Sequence, residues 1–213
     1  MKNVLILLIT FILICCAENI KSQCNFSNPI QAAESPDPWV IYKDGFYYYM
    51  VTTGDGVWIH KSNKLQQAGN APSTKVWSSP NSGIQSDVWA PELHYLNNRW
   101  YIYSCGTTVN GMRMFVLEGD STDALKPYKY IGLLNPNVWA IDASVWLDPK
   151  DNAMYIVWSQ RDPDQSIFIA KMKSPTELME PYVKLSKPSA DWERKGWNVN
   201  EGPTCIKHNN NIR

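Results

Sequence analysis

Short apolar stretches alternate with tight polar turns along most of the chain, and the alternation recurs. Four segments share one layout, in which an apolar strand, a turn and a second strand rich in aromatic and β-branched residues follow one another. They are 37–51 (DPWVIYKDGFYYYMV), 90–104 (APELHYLNNRWYIYS), 142–159 (DASVWLDPKDNAMYIVWS) and 202–213 (GPTCIKHNNNIR). The pattern predicts four β-hairpins, and helical periodicity is absent beyond the first residues of the chain.

The turns and prolines of these segments share one register. The predicted turns are Asp44–Gly45, Asn97–Asn98 and Asn209–Asn210, and such pairs favour tight hairpin turns. Pro38, Pro91 and Pro203 each lie six residues before the first turn residue of their segment. Ala143 occupies the equivalent position in the remaining segment.

A third strand follows each of the first three hairpins, in 57–65, 114–125 and 167–178. The repeating unit is about 55 residues long and leaves room for a fourth strand, which is typical of a propeller blade. The sequence therefore predicts an all-β fold, a β-propeller with three blades and part of a fourth. A β-sandwich is the alternative, and the fixed period argues against it.

The chain ends at Arg213, in the middle of the fourth predicted hairpin. A propeller ring needs about four or more blades to close, and an open ring exposes sheet edges. We therefore expect a C-terminally truncated sequence of a longer product. The 213-residue chain by itself is expected to fold poorly or to be inactive.

The N-terminus carries Lys2 followed by an apolar run over residues 4–17. This run is shorter than the roughly 20 residues that span a bilayer, and it suits a secretory signal peptide. We predict a signal peptide at 1–22 and an incomplete propeller domain at 23–213, secreted to the extracellular space. A membrane anchor is the alternative; after cleavage no membrane association is expected.

Charge and cysteine content narrow the possible partners. Lys+Arg and Asp+Glu each number 20, so no basic field favours nucleic acid. The mature chain keeps Cys24, Cys105 and Cys205, an odd number that leaves one thiol over or a partner outside this sequence. Asn25 begins a glycosylation sequon.

Three carboxylates lie at one depth of the repeat. Asp37 and Asp142 directly precede Pro38 and its equivalent, and Glu201 lies two residues before Pro203. In a propeller the first strand of each blade lines the axis, so these positions converge on one face. Each Asp alone has a structural explanation as a turn or cap residue, and Glu201 as a solvated loop residue. Together they predict one shared site.

A pair of carboxylates on opposite sides of a groove is the usual set of catalytic residues for glycoside hydrolysis. One is ionised and acts as base or nucleophile, whereas the other holds the proton that the leaving oxygen receives. A third carboxylate nearby raises the pKa of the proton donor by like-charge repulsion.

The motifs SPDPWVIYKDGFYYYMVTT, SDVWAPELHYLNNRWYIYS, IDASVWLDP and NEGPTCIKHNN resemble the successive blade motifs of glycoside hydrolase family 43. The resemblance covers about residues 28–213 and implies a five-bladed propeller that works by inversion. It implies that Asp37 is the general base, Glu201 the general acid and Asp142 the carboxylate that modulates the pKa and orients the acid. Inversion requires the two catalytic carboxyl groups to lie roughly 6.5–9.5 Å apart.

The same resemblance identifies candidate substrate-binding residues in SDVWAPE, where Trp89 implies a wall on which sugar stacks and Glu92 lies beside it. Trp39 and Trp139 are further candidates. Packing between blades is the alternative for each Trp.

The histidines form no cluster with metal-ligand spacing, so neither a metal site nor a required cofactor is predicted in this sequence. They are His60, His94 and His208. Family resemblance makes a calcium ion possible in the channel of the full-length propeller, with a histidine from the last blade.

The implied substrates are polysaccharides or oligosaccharides of plant cell-wall pentosans, and we expect an α-L-arabinofuranosidase. β-Xylosidase and endo-arabinanase activities are alternatives within the family, and a non-catalytic carbohydrate-binding propeller is an alternative outside it. A retaining enzyme of the sucrose- and fructan-cleaving kind is disfavoured, because PDPWV differs from its NDPNG-like motif.

Overall fold

The computed structural model describes residues 28–31, 34–135, 137–208 and 211–212. The predicted signal peptide at 1–22, Cys24 and Asn25 lie outside the described residues. The described strands are β1 (Trp39–Lys43), β2 (Phe46–Met50), β3 (Gly56–Ser62), β4 (Ser73–Ser78), β5 (Ser86–Leu96), β6 (Arg99–Thr108), β7 (Gly111–Glu118), β8 (Lys129–Leu133), β9 (Ala140–Leu147), β10 (Met154–Arg161), β11 (Gln165–Ser174), β12 (Glu177–Ser186), β13 (Lys207–His208) and β14 (Asn211–Ile212).

The strands form three four-stranded antiparallel sheets, each ordered as the chain runs: β1 to β4, β5 to β8 and β9 to β12. β13 and β14 form a two-stranded sheet that begins a fourth unit. Each sheet is one blade, so the predicted all-β propeller fold is confirmed, and the fourth strand of each of the three complete blades is present.

Two of the predicted turns have the backbone that their residues favour. Asp44 and Gly45 have φ of 52° and 83°, and Asn97 and Asn98 have φ of 48° and 60°. Positive φ at both central residues matches the twist of the flanking strands. The predicted turn at 209–210 lies outside the described residues.

Several details differ from the sequence prediction. The third strands β3 and β7 end at Ser62 and Glu118, before the predicted ends at 65 and 125. A short helix, α1 (Leu65–Ala68), follows β3, although no helix was predicted there. Leu178, predicted at the end of a third strand, belongs instead to β12, because the chain turns between Ser174 and Glu177. The four residues of α1 are too few to show a helical period in the sequence.

The core lies between the blades. One cluster of buried side chains joins the first sheet to the second, and another joins the second to the third. Trp100 and Trp158 are fully buried within these two clusters, and Trp158 stacks on Phe168 with 5.9 Å between ring centroids. Broad aromatic faces therefore fill the space between sheets, as the alternative interpretation of several Trp residues required.

β5 contacts β1 on one side and β9 on the other. The first strands of the three blades are therefore neighbours, and the sites where they begin lie on one face. None of the helices in the described part of the chain is long and apolar enough to cross a membrane.

Candidate active site

A β-bulge shapes the start of β9. Its pairing with β10 shifts by one residue, so that Asp142 and Ala143 lie opposite Trp158 alone. A bulge re-aims the side chains that it carries, and here it directs the Asp142 side chain toward the cavity described below.

The same shift occurs in the second blade, where Ala90 and Pro91 lie opposite Ser104 alone. The Ser104 hydroxyl donates a hydrogen bond of 2.6 Å to the carbonyl oxygen of Trp89. The side chain of Ser104 therefore binds a carbonyl beside the irregular pairing, as buried polar groups require.

The first blade has the equivalent arrangement just before β1. The Thr52 N–H donates to the Pro36 carbonyl oxygen at 3.0 Å, while Trp39 pairs with Met50. Asp37 therefore lies, together with the residue after it, in a two-residue insertion against one residue of the neighbouring strand.

The first residue of each of these three insertions has left-handed backbone, and so does Gly202 at the aligned position of the fourth unit. The φ values are 53° at Asp37, 44° at Ala90, 58° at Asp142 and 62° at Gly202. These four positions are the ones that the sequence repeat aligns. Left-handed backbone favours Gly, admits Asp with local hydrogen bonding and costs other residues roughly 1–2 kcal/mol. The four blades thus present one backbone shape with different side chains.

Asp37 is held by a hydrogen-bonded relay between two blades. The Thr52 hydroxyl donates to Asp37 Oδ2 at 2.6 Å, and the same hydroxyl oxygen accepts the Ala90 N–H at 2.7 Å. The hydroxyl has one proton to donate and lone pairs with which to accept, so this arrangement satisfies both. Asp37 itself is exposed to solvent.

Glu201 is positioned by a different device. It follows an irregular segment that docks on the beginning of β11, where the Asn200 N–H donates to the Gln165 carbonyl at 2.9 Å and the Ser159 hydroxyl donates to the Asn200 carbonyl at 2.7 Å. The buried Gln165 side chain then donates its amide N–H to Glu201 Oε2 at 2.9 Å. Side-chain hydrogen bonds fix this carboxylate rather than a bulge.

Asp142 interacts with both of the other carboxylates. Its Oδ2 accepts the Gly202 N–H at 2.9 Å. Burial raises the pKa of Asp142 from 3.8 to about 6, the Gly202 N–H opposes this rise, and the negative charges of Glu201, Asp37 and Glu92 add to it. Asp142 therefore keeps its proton to a higher pH than an ordinary aspartate does.

The three carboxylates share one cavity of about 510 Å³, a volume suited to a small ligand. The cavity is lined by Asp37, Pro38, Trp39, Trp89, Ala90, Pro91, Glu92, Ile141, Asp142, Glu201, Gly202, Pro203 and Thr204. The predicted catalytic residues are brought together here, as are Trp89, Glu92 and Trp39.

Trp139 is not among the lining residues. It packs on the buried Cys105, Met112 and Ile141, and the Arg161 guanidinium lies 4.0 Å from the centroid of its ring. The structure thus places Trp139 in the packing behind the cavity wall.

Glu92 and Trp39 are supported by one buried histidine. His94 Nε2 lies 2.9 Å from Glu92 Oε2, and the His94 ring centroid lies 5.0 Å from that of Trp39. Trp39 donates its indole N–H to the Leu93 carbonyl at 3.0 Å. The Glu92 carboxylate and the Trp39 ring are therefore held in fixed positions at the cavity wall.

Cys105 and Cys205 are both free thiols, and Cys24 lies outside the described residues. Burial raises the pKa of the Cys105 thiol, with the charge of Asp142 as a further cause. The Cys105 thiol lies 3.6 Å from the Trp89 carbonyl oxygen. A protonated, buried thiol is unreactive, which indicates a packing role for Cys105.

The ionisable lining residues are all acidic: Asp37, Glu92, Asp142 and Glu201. Such a cavity repels phosphorylated or carboxylated ligands and favours neutral ones. It also stabilises positive charge, and the transition state of glycoside hydrolysis resembles an oxocarbenium ion. Among the described residues, no group of three or more His, Cys, Asp or Glu side chains is arranged to hold a metal ion.

Three supporting residues were missed in the sequence: Thr52, Gln165 and His94. Thr52 follows the second strand of the first repeat, so extending the repeat register would have placed it next to Asp37 on the neighbouring strand. The spacing of two between Glu92 and His94 along one strand puts both on one face. No signal identified Gln165, because its partner segment has no regular pairing.

Comparisons with known proteins agree with this geometry. The family model described as "Glycosyl hydrolases family 43" matches residues 26–212. The chain is 34% identical to Alpha-L-arabinofuranosidase 43 of Humicola insolens, over 93% of this chain and 43% of that protein. It is 32% identical to the Extracellular exo-alpha-(1->5)-L-arabinofuranosidase of Streptomyces avermitilis, over 88% of this chain and 41% of that protein.

Among solved structures, the alpha-L-arabinofuranosidase from Lactobacillus brevis is similar, with a TM-score of 0.78 and 30% identity. That match covers 86% of this chain and 63% of the solved chain. The chain thus spans less than half the length of the two curated relatives and under two thirds of the solved relative.

Proposed function

Because this chain belongs to glycosyl hydrolases family 43, we propose that it forms the catalytic part of a secreted inverting glycosidase. The enzyme releases α-L-arabinofuranosyl groups from plant cell-wall pentosans. The observation that carries the proposal is that Asp37, Asp142 and Glu201, which are 105 and 59 residues apart in sequence, line one cavity.

Asp37 acts as general base. It accepts a proton from a water molecule, and the oxygen of that water forms a bond to the anomeric carbon. Glu201 gives its proton to the glycosidic oxygen as the bond between that oxygen and the anomeric carbon breaks. The products are a free sugar of inverted configuration and a shortened glycan, and solvent restores both protonation states.

Asp142 acts on the acid rather than on the substrate. Its carboxyl group accepts the N–H of Gly202, the residue after Glu201, and so fixes the backbone that carries the acid. When ionised, it also places a negative charge beside Glu201.

The aromatic and acidic walls fit a neutral furanose. Trp89 is 39% exposed and offers a face on which a sugar ring stacks. Glu92, held by His94, is placed to accept a hydrogen bond from a sugar hydroxyl. The arabinofuranosidase names of the relatives in Humicola insolens and Streptomyces avermitilis support arabinose as the released sugar.

Secretion is part of the proposal. The Streptomyces avermitilis relative is called extracellular, and the apolar N-terminal run supplies a signal for export. No step above uses a metal, and calcium in the channel of a complete propeller stays a prediction.

Hydrolysis of α-1,5-linked arabino-oligosaccharides, followed by proton NMR from the first turnover, tests this function. We expect arabinose to appear first as the β anomer. Appearance of the α anomer would contradict inversion. Release of xylose from xylo-oligosaccharides without arabinose release would indicate a β-xylosidase instead. Release of oligosaccharides from internal bonds would indicate an endo-arabinanase.

If sugar binds but no substrate is cleaved, a non-catalytic carbohydrate-binding propeller replaces the enzyme. The comparison is then made with Glu201→Gln, which removes the acid and keeps the shape of the side chain. Equal binding by the two proteins, with no turnover by either, would exclude catalysis.

A further inference from the structure

Glu201 also lines a second cavity. It has a volume of about 910 Å³ and is lined by Arg161, Gln165, Ile167, Ser186, Trp192, Glu193, Lys195, Trp197, Val199, Asn200 and Glu201. We call it the outer groove. Among the described residues, Glu201 is the member shared by the outer groove and the catalytic cavity.

Two large aromatic rings stand open to solvent in the outer groove. Trp192 is 76% exposed and Trp197 is 82% exposed. Tryptophan is usually well buried in folded proteins, and two such rings together leave apolar surface uncovered. Exposed aromatic surface beside polar side chains marks a binding site.

The segment that carries these rings is anchored close to the acid. The Glu193 carboxylate accepts the N–H of Ala190 at 2.7 Å and that of Ser189 at 2.8 Å. It also accepts the Asn200 amide N–H at 3.2 Å. Since Asn200 directly precedes Glu201, the ring-bearing segment and the proton donor form one hydrogen-bonded unit.

The shared acid determines which part of a substrate can reach the groove. Glu201 protonates the oxygen of the bond that breaks, so the released sugar lies on one side of it and the leaving group on the other. The released sugar occupies the catalytic cavity with Asp37 and Trp89. The leaving group must then extend past Glu201, and the outer groove opens there.

We propose that the outer groove binds the leaving-group sugars of a neutral pentosan chain by stacking them on Trp192 and Trp197. This inference rests on the proposed function. The occupant is a glycan rather than a protein segment because the rings adjoin the acid that must act on a glycosidic bond. Arg161, Lys195 and Glu193 supply polar groups for its hydroxyls.

The test compares two substrates that share the released sugar. α-1,5-Linked arabinotriose has a leaving group long enough to reach the groove, whereas α-L-arabinofuranosyl fluoride has none and its fluoride leaves without a proton. The measured quantity is kcat/KM for the triose divided by kcat/KM for the fluoride. We expect Trp197→Ala and Trp192→Ala each to lower this ratio about tenfold, a loss typical of one stacking contact.

Trp197→Phe keeps an aromatic face, and we expect it to hold the ratio within about threefold of the original protein. Tyr42→Ala serves as the matched control. Tyr42 is an exposed aromatic residue of the first blade, at 61%, and does not line either cavity. Its ratio should be unchanged. Thermal unfolding shows whether each variant is folded. If an Ala variant does not fold, the ratio measured for Trp197→Phe still tests the prediction.

An unchanged ratio in folded Trp192→Ala and Trp197→Ala variants, with wild-type turnover of both substrates, would show that the outer groove does not bind the leaving group. The proposed function would remain intact. A changed oligomeric state in those variants with an unchanged ratio would assign the rings to a protein contact and overturn the proposed role of the outer groove as well. Failure of the whole enzyme, of which this chain is proposed to be the catalytic part, to cleave either arabinosyl substrate would instead overturn the proposed function.

Discussion

The two sides of the catalytic cavity are built in different ways. Asp37 lies in a bulge beside a regular four-stranded sheet, with Thr52 joining it to the second blade. Glu201 lies after an irregular segment that side chains of the third blade hold in place. Asp37 is thus positioned mainly by backbone pairing and Glu201 mainly by side-chain hydrogen bonds.

This difference teaches where each function is vulnerable. Backbone pairing in a sheet depends on many residues at once, so single substitutions displace it little. The Glu201 carboxylate accepts one side-chain hydrogen bond among the described contacts, and its donor is Gln165. A single substitution at Gln165 should therefore disturb Glu201 while leaving the sheets paired, whereas one at Thr52 disturbs Asp37 and also the hydrogen bond to the second blade.

The largest effects should come from removing each proton-transfer group. We expect Asp37→Asn and Glu201→Gln each to lower kcat on arabino-oligosaccharides by about 10²–10⁴-fold, the usual contribution of a general base or acid. The two should differ on α-L-arabinofuranosyl fluoride, because fluoride leaves without a proton. Glu201→Gln should therefore lose far less on the fluoride than Asp37→Asn does.

Equal losses by both variants on the fluoride would contradict the assigned roles. Steady-state kinetics on the two substrates makes this measurement, and unchanged thermal unfolding of both variants confirms that the chemistry rather than the fold has changed.

The next effects should separate the two kinds of support. Gln165→Leu removes the donor to Glu201, and Thr52→Val removes the donor to Asp37. Hydrogen bonds to charged groups contribute about 1.5–3 kcal/mol, so each variant should lose about 10–100-fold in kcat. Thr52→Val also leaves the Ala90 N–H without its acceptor, so it should lower Tm more than Gln165→Leu.

Thr52→Ser keeps the hydroxyl and should restore most of the activity that Thr52→Val loses. If Thr52→Val and Thr52→Ser were equally impaired, packing of the methyl group rather than the hydrogen-bonded relay would position Asp37.

A smaller effect concerns stability and pH. The pKa of Asp142 is raised from 3.8 to about 6 in the folded chain, so the folded state binds more protons than the unfolded state between these values. Stability therefore falls as pH rises through this window, and the whole penalty is present above about pH 6. Asp142→Asn should remove it, raising the free energy of unfolding by up to about 3 kcal/mol at pH 8 while lowering activity.

The gain from Asp142→Asn should vanish below about pH 4, where the carboxyl group is protonated in both states. Urea unfolding at pH 4 and pH 8 makes the comparison. A gain of the same size at both pH values would show that the charge of Asp142 is not its cause.

The smallest effect concerns the second blade. Ala90 has left-handed backbone, with φ of 44°, and carries no functional group. Ala90→Gly should relieve strain and raise the free energy of unfolding by up to about 1 kcal/mol, because the greater freedom of Gly in the unfolded chain offsets part of the gain. Thermal unfolding measures it, and a lower Tm would contradict strain at this position.

The repeat in the sequence predicted the blades and most of the site. Asp37 and Asp142 follow from the 55-residue register because the bulge is the same in both blades, and sequence alone gave their common depth. Glu201 lies one residue before the equivalent position, which Gly202 occupies, so its carboxylate reaches the cavity by a different route.

Contacts outside the repeat were not predictable. Gln165 meets Glu201 through a segment that pairs irregularly, and neither Trp192 nor Trp197 belongs to a repeated motif. Trp39 and Trp139 both looked like cavity residues in the sequence, but only the former lines the cavity. Burial between blades depends on how sheets pack, and that is not encoded in the position of one aromatic residue.

The left-handed residue at the head of every blade has a consequence for how such proteins diversify. When the coding sequence of one blade is duplicated, the new blade inherits a residue whose side chain already points toward the propeller axis. A single codon change can then install or remove a functional group there, as Ala90 beside two aspartates illustrates. New chemistry in this architecture can arise without redesigning the chain path.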